Sequence, residues 1–301
     1  MVGGKKIVAA IGNFDGVHRG HQFLLQQTQE LAREQQAALG VVLFEPHPRR
    51  FFRPDDPAFL LTTPAKRDAL LRAVGVDEIF ALRFDAALAS MTPEDFVLEE
   101  LKTRLKLSGV VAGADFRFGK DRAGGGAALE KLSGEAGMAV KLVGILDGEK
   151  GEKFGSSAIR QALRNGEPED AARMLGRPWS ATGVVAEGQK VGRTIGFPTA
   201  NMILGDLIAP REGVYATRAR VGDEIYDAVS NFGRRPTVGS GAPLLETYLL
   251  DFDGDLYGRE IEIFFVSFLR DERKFDGLDA LKAQISDDCE AARKRLAAYS
   301  N

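Results

Sequence analysis

The spacing of hydrophobic positions changes once along this chain. Up to about residue 175, short apolar runs alternate with stretches whose apolar residues recur every three to four positions. The runs are KIVAAIG, LGVVLFEP, EIFALRF, SGVVAGADF and AVKLVGIL. Helical stretches are expected between them at 22–36, 64–74, 93–105 and 126–136, with a further one at 156–175. Strands alternating with helices predict parallel β-α-β units, with sites at the carboxyl ends of the strands. After GRPWSATG the pattern becomes short strands and turns, including GVYATRARVGDEIYDAVSNFG and LLETYLLDFDGDLYGREIEIFFVSFL, and it closes with a helix at 278–299. This half predicts a small antiparallel barrel or sandwich. The change of period places a domain boundary between Leu175 and Ala181, giving domains 1–178 and 179–301.

Composition narrows the classes. A chain of 301 residues with 44% hydrophobic and 28% charged residues is long enough for two globular domains of roughly 100–200 residues each. Its net charge of −3 provides no long-range field for polyanions, so no nucleic-acid partner is expected, although small anions fit. The single cysteine, Cys289, excludes an intramolecular disulfide and any multi-cysteine zinc site, and suits a reducing compartment. The apolar run near the N-terminus is too short for a signal peptide or a membrane span, so no membrane partner and a cytoplasmic location are expected. A homo-oligomer is left open.

Only three histidines occur, and two of them, His18 and His21, lie in AAIGNFDGVHRGHQFLL. This stretch predicts a strand, a turn-rich loop and a helix whose Leu24, Leu25, Thr28, Leu31 and Ala32 share one face. His21 then sits at a helix N-terminus, where backbone N–H groups and the helix dipole favour an anion. Gly12, Gly16 and Gly20 let a phosphate approach the backbone, and both histidines can donate to it. The plain alternative is two surface histidines in an ordinary loop. His47, in LFEPHPRRFF, also follows a predicted strand, which places all three histidines at strand ends. A zinc site is the rival reading, but Asp15 and Glu45 make no recognisable zinc spacing with them.

GNFDGVHRGH resembles the H-x-G-H signature of nucleotidyltransferases. Together with FEPHP, GADFRFGKDRAG and GSSAIRQAL, it resembles the adenylyltransferase half of bifunctional bacterial riboflavin kinase/FAD synthetases, and the likeness covers essentially the whole chain. The resemblance implies a Rossmann-like α/β nucleotidyltransferase domain with a parallel sheet, followed by a small antiparallel β-barrel riboflavin kinase domain with a C-terminal helix. It also implies ATP phosphate binding by Gly12, Asn13, Phe14, Asp15, His18, Gly20 and His21, with both histidines catalytic. His47, Pro48, Asp115, Phe116 and Arg117 fall on the flavin side, and Ser156, Ser157 and Arg160 on nucleotide phosphates. Gly155 stands where a first serine is expected, which removes one hydroxyl.

The second half carries GQKVGRTIGFPTANM. No Walker A sequence occurs, since FRFGKD lacks the earlier glycine and the following Ser or Thr. Gly192 and Gly196 loosen the backbone, while Thr199 and Asn201 present a hydroxyl and an amide on one side of an extended chain, a pair able to share Mg2+ with ATP oxygens and water. A polar turn followed by a strand is the equal alternative. Asp251, Asp253, Asp255 and Glu262 mimic a calcium loop, but Leu256 replaces its glycine, and Asp253-Gly254 reads as a hairpin turn. GFPTAN and LLETYLLDFDGDLYG resemble the metal and catalytic segments of riboflavin kinases, which implies Glu246 as catalytic base. Gly192, Gly196, Pro198 and Arg270 would contact nucleotide or flavin, with NFGRRPT and FLRDERKF as loops of this site.

The resemblance implies that the second half phosphorylates riboflavin to FMN and the first adenylylates FMN to FAD and pyrophosphate, both with Mg2+ and with ATP as co-substrate. A cytidylyltransferase would share H-x-G-H but leaves the second half unexplained, and a non-catalytic flavin-binding protein would keep the folds without turnover. The scattered aromatic residues do not identify a platform for the flavin ring.

Overall fold

The computed structural model describes residues 6–144, 154–187, 196–233 and 243–299. The chain forms two compact units, one of residues 1–57 and 64–155, the other of residues 58–63 and 156–301. No described helix is long and apolar enough to cross a membrane.

The first unit is built on a five-stranded parallel sheet: β1 (Ile7–Ile11), β2 (Ala38–Glu45), β3 (Glu78–Arg83), β4 (Gly109–Gly113) and β5 (Ala139–Val143), in the order β3-β2-β1-β4-β5. The helices are α1 (Arg19–Glu34), α2 (Pro48–Phe52), α3 (Pro64–Ala73), α4 (Ala86–Ser90), α5 (Pro93–Asp95) and α6 (Gly126–Glu135). The expected helix at 93–105 is only briefly α-helical, continuing as a π-helical stretch at Phe96–Arg104. Alternation along β1 sends Val8 and Ala10 to a core with Leu24, Leu25, Ala32 and Leu71, and Ala9 and Ile11 to another with Phe96, Leu101 and Leu129. Both faces of β1 are buried, so it reads as an unbroken apolar run. The strand order reverses between β1 and β4, so the loops after these two strands flank the crevice where a doubly wound sheet takes its ligand.

The second unit holds an antiparallel sheet of β6 (Trp179–Val184), β7 (Ala200–Met202), β8 (Gly213–Val221), β9 (Glu224–Gly233), β10 (Leu244–Leu249) and β11 (Glu260–Arg270), in the order β6-β11-β8-β9-β10-β7. A bridge from Ala186, just beyond β6, to Asn201 in β7 joins the two edges, which decides for a barrel over a sandwich. Register shifts after Phe265 and Phe268 bend β11. The interior packs Trp179, Tyr215 and Phe265, with ring centroids 4.9 and 5.0 Å apart. A long helix, Leu278–Ala298, covers Val214, Ala216, Val229 and Val266 on the outer face through Ala292 and Leu296.

Three expectations need correction. The stretch 156–175 is two helices, α7 (Ser156–Asn165) and α8 (Pro168–Leu175), because Gly166 turns at φ 78° and Pro168 starts the second; the covering helix is therefore α9 (Leu278–Ala298). Both α7 and α8 lie in the second unit rather than closing the first. Asp253-Gly254 is not a hairpin turn: β10 pairs with β9 and β7, and β11 with β6 and β8, so residues 250–259 connect strands that do not pair with each other. The two-residue hairpin is Gly222-Asp223, with Gly222 at φ 63° between the paired Val221 and Glu224.

Segment 58–63 joins the second unit through backbone and side-chain bonds. Leu60 bridges to Leu207, the indole N–H of Trp179 donates to Leu61 O at 2.8 Å, and Arg160 Nε donates to Phe59 O at 2.7 Å.

Candidate active sites

The first site grows from the end of β1. Gly12 N–H donates to Val42 O at 3.1 Å, and the chain then passes through three positive φ angles: Phe14 at 53°, Gly16 at 84° and Val17 at 41°. Phe14 and Val17 are not residues that favour this region, and such strain costs on the order of 1–3 kcal/mol each. Their complete burial in the core opposes that cost and pins the loop. Asp15, 4% exposed, is carried inward with them.

His18 caps α1. Its Nδ1 accepts from the backbone N–H of His21 at 3.3 Å, which leaves Nε2 as the nitrogen that carries an N–H. The rings of His18 and His21 stack with centroids 3.6 Å apart and planes 20° from parallel. Burial, and secondarily the neighbouring His18, push the His21 imidazole well below its ordinary pKa. His21 is therefore neutral near pH 7, able to donate one hydrogen bond without carrying charge. A Cβ at Gly20 would lie 3.1 Å from His18 Nδ1 and from Phe154 O, so glycine keeps the capping ring in place. His21 Nδ1 and Asn13 Oδ1 are buried without a hydrogen-bond partner among the described residues, two unmet polar groups in one loop.

The neighbouring strands complete this edge. Asp115 and Arg117, both exposed, and the partly buried Phe116 follow β4, where Phe116 N–H donates to Gly113 O at 2.9 Å and the ring stacks on Phe118. His47 follows β2 and caps α2, with Nδ1 accepting from Arg49 N–H at 3.1 Å and Pro48 at the first helical position. The structure thus gathers the loop 12–21, His47 with Pro48, and 115–117 at the carboxyl ends of three adjacent strands. Glu45 is engaged in an ion pair with Arg67, and no group of three or more His, Cys, Asp or Glu suited to a metal occurs among the described residues.

Ser156 and Ser157 open α7, and Arg160 follows one turn later in the second unit. Arg160 is 8% exposed and lies over the Phe59 ring, 5.4 Å from its centroid. A side chain at Gly155 would meet nothing within 4 Å, so the missing serine is not excluded by space.

The second site is a row across three strands. Glu246 in β10 stands directly opposite Asn201 in β7 and Asn231 in β9, and residues so paired project to the same face. Leu245, Thr247 and Leu249 point into the barrel, so Glu246 and Tyr248 lie on the outer face, where Tyr248 meets Phe197 edge-on at 5.3 Å. Asn201 is 5% exposed and directs its amide N–H toward Thr199 O at 3.5 Å, which turns its Oδ1 the other way. Thr199, Asn201 and Glu246 offer only hard oxygen donors, the set Mg2+ prefers, so the residues fit that ion. Gly196 takes φ 89°, Pro198 is exposed, and Gly192 lies outside the described residues.

Arg270 is already engaged. Its Nε and Nη2 form a bidentate pair with Asp288 of α9 at 2.8 and 2.7 Å, and the aspartate is 5% exposed. Sequence reasoning missed Asn231, Glu272 and Asp288. NFG and FLRDE did mark the segments of the first two, but nothing marked an aspartate inside an amphipathic helix.

Family models for FAD synthetase and riboflavin kinase match residues 3–158 and 175–296. The bifunctional riboflavin kinase/FMN adenylyltransferase of Escherichia coli (strain K12) is 40% identical over 288 residues, 95% of this chain and 92% of the relative. The chain belongs to the bifunctional riboflavin kinase/FMN adenylyltransferase family. The family's Bacillus subtilis (strain 168) member is 38% identical over 95% of this chain and 92% of its own. A crystal structure named as a macrolide-efflux protein from Streptococcus pneumoniae superposes with a TM-score of 0.88 at 32% identity, covering 97% of this chain and 95% of that one. The histidine loop lies within the FAD synthetase match, and the Asn201–Glu246–Asn231 row within the riboflavin kinase match.

Proposed function

We propose that the strand-end crevice of the first unit joins FMN to the adenylyl group of ATP, and that the cross-strand row of the second unit phosphorylates riboflavin. In the first reaction the phosphate of FMN is already anionic and attacks the α-phosphorus of ATP without a side-chain base, while the bond to pyrophosphate breaks. The protein's task is to position the two phosphates and to stabilise the charge passing to pyrophosphate. His18, whose Nδ1 is taken up by the cap so that its Nε2 donates, and neutral His21 are donors for that charge, and the amides of the α1 N-terminus add to them. Asp115, Phe116, Arg117 and His47 belong to the flavin side, while Ser156, Ser157 and Arg160 serve nucleotide phosphates.

In the second reaction the terminal ribityl hydroxyl attacks the γ-phosphorus of ATP, and Glu246 takes the hydroxyl proton. Thr199 and Asn201 would hold Mg2+, which when bound neutralises phosphate charge. Gly192, Gly196 and Pro198 belong with the nucleotide and flavin of this site, while Arg270, held by Asp288, anchors the segment beside it. The observation that carries the reading is the register itself, which sets the Glu246 carboxylate beside Asn201 on one face. The protein acts in the cytoplasm.

The experiment is direct. Pure protein with riboflavin, ATP and magnesium should yield FMN first and then FAD by chromatography. Bound but unaltered flavin would instead support a non-catalytic binder, and turnover with CTP in place of ATP a cytidylyltransferase.

A further inference from the structure

The end of β9 holds a polar side chain with an unmet bond. Asn231 donates through Nδ2 to Glu272 Oε1 at 2.9 Å, while its Oδ1 is buried and has no hydrogen-bond partner among the described residues. An ionised carboxylate only accepts, so Glu272 fixes which end of the amide is the oxygen. A buried acceptor left in this state is costly unless something donates to it.

Its position says what the donor is. Asn231 stands directly opposite Glu246, with Cβ atoms of such pairs about 4.5–5.5 Å apart on one face. If Glu246 faces the hydroxyl that is phosphorylated, a group beside it on the next strand meets the hydroxyl one carbon further along the polyol chain. Hydroxyls donate, and Asn231 Oδ1 accepts.

The support for Asn231 is built into the backbone. A Cβ at Gly233 would lie 2.1 Å from Glu272 Oε1, so only glycine there lets this carboxylate settle against β9. Two residues before Glu272, the Arg270–Asp288 pair ties the end of β11 to α9, and Gln284 donates to the same aspartate at 2.8 Å. The segment carrying Glu272 is therefore anchored at its start.

We propose that Asn231 is a substrate-binding residue of the second site. It accepts a hydrogen bond from the hydroxyl next to the reacting one, and Glu272 is a positioning residue that orients its amide. This rests on the kinase reading of the row.

The test compares riboflavin with an analogue lacking the side-chain hydroxyl adjacent to the terminal one, using kcat/KM for phosphorylation. The wild type should prefer riboflavin, and Asn231→Ala should reduce that preference by about 10–100-fold, mainly through KM, because the buried acceptor is gone. Glu272→Ala should erode it partly, and Glu272→Gln, which keeps an acceptor oxygen for the amide, should restore much of it. Asn231→Leu provides a bulkier replacement should alanine prevent folding. Active Asn231 variants with an unchanged preference would overturn this assignment alone. A wild type without kinase turnover would overturn the kinase reading and this proposal together.

Discussion

His18 and His21 stack face to face at 3.6 Å while the backbone N–H of one caps onto the ring of the other. Two charged imidazoles could not share that distance cheaply, and burial adds to the penalty. His21, held against His18 at the end of β1, is therefore neutral near pH 7. His21→Ala should reduce FAD formation from FMN by about 10²–10³, the usual cost of a lost charge-stabilising donor, while FMN formation continues. Chromatography of both products checks this, and loss of both in a folded variant would contradict separate sites.

The same stack predicts a pH dependence of stability. The folded-state pKa of His21 lies well below its ordinary value of 6.5, so the unfolded chain binds the proton more tightly. Above that pH neither state is protonated and the group contributes no pH dependence. As pH falls below 6.5 the unfolded state gains a proton that the folded state resists, and stability drops. His21→Phe should show a smaller fall in Tm between neutral pH and about pH 5.5 than the wild type. Equal slopes would remove His21 as the source.

Arg160 tests a buried contact against a ligand contact. Its guanidinium donates to Phe59 O and covers the Phe59 ring. Arg160→Ala should lower stability by about 1.5–3 kcal/mol, since a hydrogen bond to a charged group is lost. Denaturant midpoints measure that cost, and the KM for ATP in FAD formation measures the phosphate role. A variant of unchanged midpoint would show that the Phe59 contact contributes nothing.

Much of this was legible in residue types. Glycines and histidines at a strand end marked the loop that follows β1, and PTAN with an in-strand glutamate marked the segments that pair as β7 and β10. The cap by His18 and the left-handed turns at Phe14 and Val17 were not legible, because neither aromatic nor β-branched residues signal positive φ. Asp253-Gly254 has the local chemistry of a hairpin, yet strand partners are chosen by distant pairing. Segment 58–63 reads locally as a loop because its partners, Arg160, Trp179 and Leu207, lie about a hundred residues or more away.

That segment bears on where the second unit can be cut. A fragment of residues 180–301 follows the change of hydrophobic period, but it omits α7, α8 and Trp179, which pack in the second unit. A fragment starting at residue 156 should unfold at a higher urea concentration, because it keeps the buried Ala171, Met174, Leu175 and Trp179. Equal midpoints would place the folding boundary near residue 178 after all.

The central claim is that phosphorylation is carried by Glu246, in the row it forms with Asn201 and Asn231, independently of the histidine loop. The most direct measurement is the rate of FMN formation from riboflavin by Glu246→Gln, with FAD formation from supplied FMN recorded in the same samples. Glutamine preserves shape and removes the proton acceptor, so FMN formation should fall by about 10²–10⁴ while FAD formation stays at the wild-type rate. Wild-type FMN formation by Glu246→Gln would contradict the account.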